Sequence, residues 1–123
     1  MKRKVIWFSR HDLTESQLES IKGAYDDVEI INMKELASKT ITDWSEALEV
    51  LAALQDMAGK NAVMEVYGVF PPPIQFELSN HCMVSHERNQ VPCYTAWNVN
   101  RAPEGERPTF EFKEWVRVGF LYE

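Results

Sequence analysis

The sequence predicts an α/β fold: a small parallel β-α-β-α-β core extended by C-terminal antiparallel strands. Three observations carry this reading. Two segments with capping-box spacing, Thr14-Glu15-Ser16-Gln17 and Asp43-Trp44-Ser45-Glu46, each open a stretch of helical periodicity. Short apolar runs of β-forming residues flank both stretches. Beyond Pro71-Pro72-Pro73 the apolar period changes to two, the spacing of strands.

Each element has its own justification. Val5-Ile6-Trp7-Phe8 is a continuous apolar run, as a strand buried on both faces requires. Thr14 is placed as an N-cap, Gln17 closes the box, and Leu13 and Leu18 are spaced as a hydrophobic staple. Leu18, Ile21 and Tyr25 then share one helical face, and Val28-Glu29-Ile30-Ile31 forms the second strand. From Asp43 a second helix carries Trp44, Ala47, Leu48, Leu51, Leu54 and Ala58 on one stripe, with Gly59 expected as its stop. Ala62 to Phe70 is expected as the third strand. Ile74 to Leu78 alternates like a strand, while Ile74, Leu78 and Cys82 also fit a short helix begun by proline; the pattern allows both. Cys93 to Val99 is a strand, and Arg101 to Pro108 is a turn or exposed loop. Phe110, Phe112, Val116, Val118 and Phe120 fall on one face of a last strand. Glu114 interrupts that face, so either a bulge lies near 114 or Trp115 meets another surface.

A chain of 123 residues, 45% hydrophobic and 26% charged, makes one domain with its own core. Residues 1–70 are expected as the α/β core and 71–123 as a β-rich half for ligand binding and assembly. The net charge of −6 argues against binding duplex nucleic acid, because the protein's own field opposes the phosphates. No apolar stretch is long enough to span a membrane, and the run after Met1-Lys2-Arg3-Lys4 ends at Ser9-Arg10-His11, too short for a signal peptide. A cytoplasmic protein with Cys82 and Cys93 reduced is expected.

The two halves differ in chemistry. Six of seven lysines lie within residues 1–60, no aspartate follows Asp56, and four of six arginines (Arg88, Arg101, Arg107 and Arg117) lie in the second half. A guanidinium is a planar fork suited to phosphate, whereas an ammonium is a point charge. In open parallel sheets ligands gather at the carboxyl ends of the strands. Arg10 and His11 follow the first strand, ahead of a helix amino end, and Phe70 ends the third. These residues fit an anion or nucleotide site; they also fit solvated loop residues beside a core phenylalanine. Leu78 to Cys82 and Ser85 to Gln90 are amide-rich and, with Tyr94, Trp97, Asn98 and Arg101, fit either a small-molecule pocket or a polar connection. His81, Cys82, His86 and Cys93 match no standard zinc spacing, and adjacent ligands at 81 and 82 point apart in an extended segment. No P-loop or GxGxxG occurs, and the absence of aspartate from the second half argues against a two-metal hydrolase built there. No metal and no cofactor are expected.

The run Val5-Ile6-Trp7-Phe8-Ser9-Arg10-His11-Asp12-Leu13-Thr14, the Phe70-Pro71 junction and the Arg- and Asn-bearing C-terminal half resemble a family of small phage proteins. These proteins block the bacterial Thoeris defence by sequestering its signal, a cyclic ADP-ribose isomer, without cleaving it. The resemblance covers most of the chain in length and order, through short motifs. It implies Phe70 as a stacking residue, Asn80 as an amide to base or ribose, and Arg101 as a phosphate clamp, with Arg88 and Arg107 as further arginines. It also implies a homo-oligomer in the host bacterial cytoplasm, a dimer or, as the larger form, a hexamer. The amino-terminal run alone also resembles small CRISPR-associated proteins related to ring nucleases, which cleave cyclic oligoadenylates. Two functions follow as expectations: sequestration of a cyclic nucleotide, or its cleavage with Ser9, Arg10 and His11 near the scissile phosphate.

Overall fold

A computed structural model describes residues 3–23, 27–81 and 90–122. The elements in chain order are β1 (Arg3–Phe8), α1 (Glu15–Lys22), β2 (Val28–Asn32), α2 (Lys34–Ala37), α3 (Trp44–Lys60), β3 (Glu65–Gly68), α4 (Pro72–His81), β4 (Gln90–Asn100) and β5 (Phe110–Tyr122). They build one five-stranded sheet in the order β2-β1-β3-β4-β5. β1 to β4 run parallel and β5 pairs antiparallel with β4. The expected α/β class is what the chain adopts. Among the described residues no helix is long and apolar enough to cross a membrane.

Both sheet faces are covered, which explains the unbroken apolar run of β1. Val5 and Trp7 join Ile21 of α1 and Tyr67 in one cluster. Ile6 and Phe8 join residues of α3 and α4 together with Val66, Val91, Cys93 and Leu121 in the larger one. α1 opens with the expected capping box: Gln17 N–H donates to Thr14 Oγ1 at 3.2 Å, and Thr14 N–H donates to Gln17 Oε1 at 3.1 Å. α3 is capped by Asp43, whose carboxylate accepts from Glu46 N–H at 2.9 Å, but the Glu46 carboxylate reaches Thr42 instead of closing a box.

Several boundaries depart from the expectations. α2 was not anticipated; its four residues are too few to show a helical period. Gly59 does not stop α3 but lies within it. The helix ends in a Schellman motif around Ala62, with Val63 N–H donating to Ala58 at 3.0 Å and Ala62 N–H to Gly59 at 3.3 Å. Ala62 therefore occupies the left-handed position usually given to glycine, at φ 52°. That turn takes up 61–64, so β3 is only four residues long. The 74–82 ambiguity resolves, for the described residues, as helix α4. Leu78 meets β5 at Gly119, where any side chain would run into the Leu78 carbonyl. α4 is the crossover that makes β4 a fourth parallel strand, and it places a helix inside the half expected to be β-rich.

The single apolar face expected for the last strand is divided. In the β4–β5 register Trp97 pairs with Glu114 and Asn98 with Phe112, so Lys113 is an extra residue; Cys93 pairs with Gly119 and Tyr94 with Arg117, so Val118 is another. Each bulge reverses the alternation. The first turns Trp115 to the side of Phe112, with ring centroids 5.0 Å apart, and Trp115 packs on Trp7 and Tyr67. Val118 packs against the opposite, larger cluster.

The strained Ala62 gives a direct test of the helix stop. Ala62→Gly is expected to raise the free energy of unfolding by about 1 kcal/mol, because a left-handed alanine costs roughly that amount. Urea denaturation measures it; an unchanged or lowered midpoint removes the Schellman assignment.

Candidate functional site

The sheet order places a switch between β1 and β3. The chain leaves β1 toward β2 through α1, and arrives at β3 through α3 on the other face, so the two connections diverge above the adjoining strands. A crevice at the carboxyl edge is the consequence. A cavity of ≈ 420 Å³ occupies it, lined by Ser9, Arg10 and His11 after β1, by Ala37, Lys39 and Thr40 after β2, and by Val69 to Pro72 after β3. That volume lies within the range of small-molecule sites.

The segment after β1 is held in place by its neighbours. Ser9 is buried, and its hydroxyl oxygen accepts from His11 N–H at 3.1 Å. The Trp7 indole N–H donates to the His11 carbonyl at 2.7 Å. Met33 N–H donates to the Trp7 carbonyl at 2.9 Å and Val69 N–H to the Phe8 carbonyl at 3.0 Å, which ties the ends of β2 and β3 to β1. The Arg10 and His11 side chains are exposed above this frame. Arg10 makes no ion pair among the described residues. Lys39 lies 3.9 Å from Glu49, and Lys34, beside the site, pairs with Asp12 at 3.2 Å.

Phe70 lines the cavity but is 5% exposed. Its ring stacks on Phe8 with centroids 5.6 Å apart and planes at 9°. One face is therefore occupied by the protein itself, and the residue is part of the core as well as of the cavity wall. Neither helix amino end supplies a free row of donors here. α4 begins with Pro72 and Pro73, which carry no N–H. α1 is closed by its own capping box, and Thr14, Ser16 and Gln17 line a separate groove with Asn98, Phe110, Glu111 and Phe112. The cationic side chains at the cavity are those of Arg10 and Lys39.

The structure brings together Arg10, His11 and Phe70 among the sequence-derived candidates. Arg101 and Arg107 lie elsewhere. β4 pairs with β3 only as far as Thr95, so residues 96–100 continue with β5 as a two-stranded ribbon beyond the sheet. Five residues of strand project it by about 17 Å. At its tip Asn100 Oδ1 accepts from Ala102 and Thr109 N–H groups, and exposed Arg101 donates from Nε to Glu111 at 3.1 Å. Asn80 lies in the last turn of α4, whose first turn borders the cavity, and its side chain is outside the described residues. Arg88 lies outside them too, as do Cys82 and His86 of the rejected zinc set. Among the described residues no cluster of metal-binding side chains occurs. Lys39 and Thr40 were missed, although the carboxyl-edge rule applied to the second strand points to the loop that holds them.

No family model, curated protein or solved structure matches the chain.

The double character of Phe70 is measurable. Phe70→Ala is expected to destabilise the fold by about 3–5 kcal/mol, the range for emptying a buried phenylalanine site. Arg10→Ala, at an exposed position, should shift stability by no more than about 0.5 kcal/mol. Chemical denaturation of both variants checks this, and equal stabilities would remove Phe70 from the core.

Proposed function

We propose that the cavity at the β1–β3 edge binds a phosphorylated, nucleotide-like small molecule and holds it without cleaving it. On this reading the protein sequesters a cyclic nucleotide immune signal of the cyclic ADP-ribose type, as the phage anti-Thoeris family it resembles does. The observation that carries the proposal is the convergence of Arg10, His11 and Lys39 on one cavity whose other wall is Val69, Phe70 and Pro71. Guanidinium, imidazole and ammonium groups donate charge-assisted hydrogen bonds to phosphate, and the apolar wall suits a base or ribose.

The cleavage alternative has less support from the same geometry. Ser9 is buried, and its hydroxyl oxygen is engaged by the His11 N–H, so it serves the turn and does not stand free as a nucleophile. Within one chain Arg101 and Arg107 stand on the projecting ribbon. Their role as phosphate clamps belongs to a homo-oligomer in which a second copy brings its ribbon to the cavity.

The test is a binding titration with cyclic ADP-ribose isomers, followed by heat denaturation and mass spectrometry of the released ligand. Intact ligand is expected from the parent protein and from His11→Ala. Arg10→Ala should weaken binding by about tenfold to a hundredfold, the effect of losing a hydrogen bond to a charged group. Linearised product from the parent, absent with His11→Ala, would instead establish the nuclease.

A further inference from the structure

Arg10 and His11 are exposed, yet they follow a turn whose backbone is fixed from below. The fixing group is the Trp7 indole, 3% exposed, whose N–H donates to the His11 carbonyl at 2.7 Å. Trp7 cannot drift with the loop. Its carbonyl accepts from Met33 N–H at 2.9 Å, and its backbone lies in β1 between Asn32 of β2 and Tyr67 of β3. The second tie, His11 N–H to Ser9 Oγ at 3.1 Å, closes the same turn. His11 therefore has both its amide hydrogen and its carbonyl oxygen committed, and Arg10 lies inside the turn that both ties span. A long cationic side chain loses rotamer freedom on binding, and a rigid backbone beneath it reduces what else must be ordered.

We infer that Trp7 is a positioning residue of this site: its indole N–H presets the 9–11 turn so that Arg10 and His11 project into the cavity before any anion arrives. The inference rests on the anion-binding reading of the cavity. Trp7 does not line the cavity itself, so its effect on affinity passes through the His11 carbonyl. Trp115 supplies the matching control. It is an indole in the same aromatic cluster, but its Nε1 is buried with no hydrogen-bond partner among the described residues, so replacing it by phenylalanine breaks no hydrogen bond.

Inorganic pyrophosphate is the probe, titrated calorimetrically into the parent, Trp7→Phe and Trp115→Phe proteins. Trp7→Phe is expected to weaken binding about fivefold to tenfold, the equivalent of one neutral hydrogen bond, and Trp115→Phe to leave it unchanged. Indole ¹⁵N–¹H spectra of the parent give a reading that needs no variant to fold. The Trp7 resonance should be protected from exchange and should move on adding pyrophosphate, while those of exposed Trp44 and Trp97 stay in place. Equal affinities for the parent and Trp7→Phe, or a Trp7 resonance indifferent to bound pyrophosphate, would overturn the positioning role alone. Failure of the parent to bind pyrophosphate would overturn the binding proposal and this role together.

Discussion

The contact on which the site depends is between two backbones. Gly68 pairs with Phe8 in the β1–β3 register, and a side chain at 68 would run into the Phe8 carbonyl group. Only glycine permits this approach. It brings Val69 N–H onto the Phe8 carbonyl and sets Phe70 flat on Phe8. The seat of Phe70 in the cavity wall follows from this one missing Cβ. The cavity is in this sense a by-product of core packing at a switch in strand order, supplied with cations by the loops after β1 and β2 and with an apolar wall by the loop after β3.

A second constraint is the need to cover a wide sheet with little helix on one side. α1 has eight residues and cannot cover β3, β4 and β5 as well as β1. Aromatic side chains do much of this work: Tyr67 stacks on Tyr94 at 5.2 Å, and Trp115 meets Tyr67 at 4.9 Å. The bulge at Lys113 is what allows it, because without an extra residue Trp115 would face the other side. The same aromatic layer packs against the Trp7 ring.

Legibility in the sequence followed the range of the interactions. The capping box of α1 and the N-cap of α3 were readable because each is closed within four residues. The end of α3 was not, since Gly59 is the better local stop and the chain stops at Ala62 only because β3 must begin at its register with β1. For 74–82 the apolar pattern permits both readings; the choice of helix depends on Gly119, about forty positions away, which opens the space for Leu78. At the site, Arg10, His11 and Phe70 were found by a rule about strand ends. The separation of Arg101 and Arg107 from them depends on how far β4 outruns β3, a length that alternation alone does not fix. Composition misled in one respect: the arginine-rich half is not the half that lines most of the cavity.

Charge decides what the cavity can retain. The whole chain carries −6, and an approaching anion feels that repulsion chiefly within about a Debye length, roughly 8 Å at physiological salt. Attraction must come from groups at the cavity that are not already neutralised. Lys34 is paired with Asp12, and Lys39 is shared with Glu49. Arg10 has no carboxylate partner among the described residues, which makes it the side chain with most to gain from a phosphate. On the sequestration proposed above, the cavity needs nanomolar binding, about −12 kcal/mol. One unpaired guanidinium, one imidazole and a shared ammonium, at about 1.5–3 kcal/mol for each charge-assisted hydrogen bond, fall short of that once the entropy of association is counted. The deficit is what enclosure supplies. On that reading the missing enclosure is assigned to a second copy, through the ribbon that carries Arg101 and Arg107 beyond the sheet.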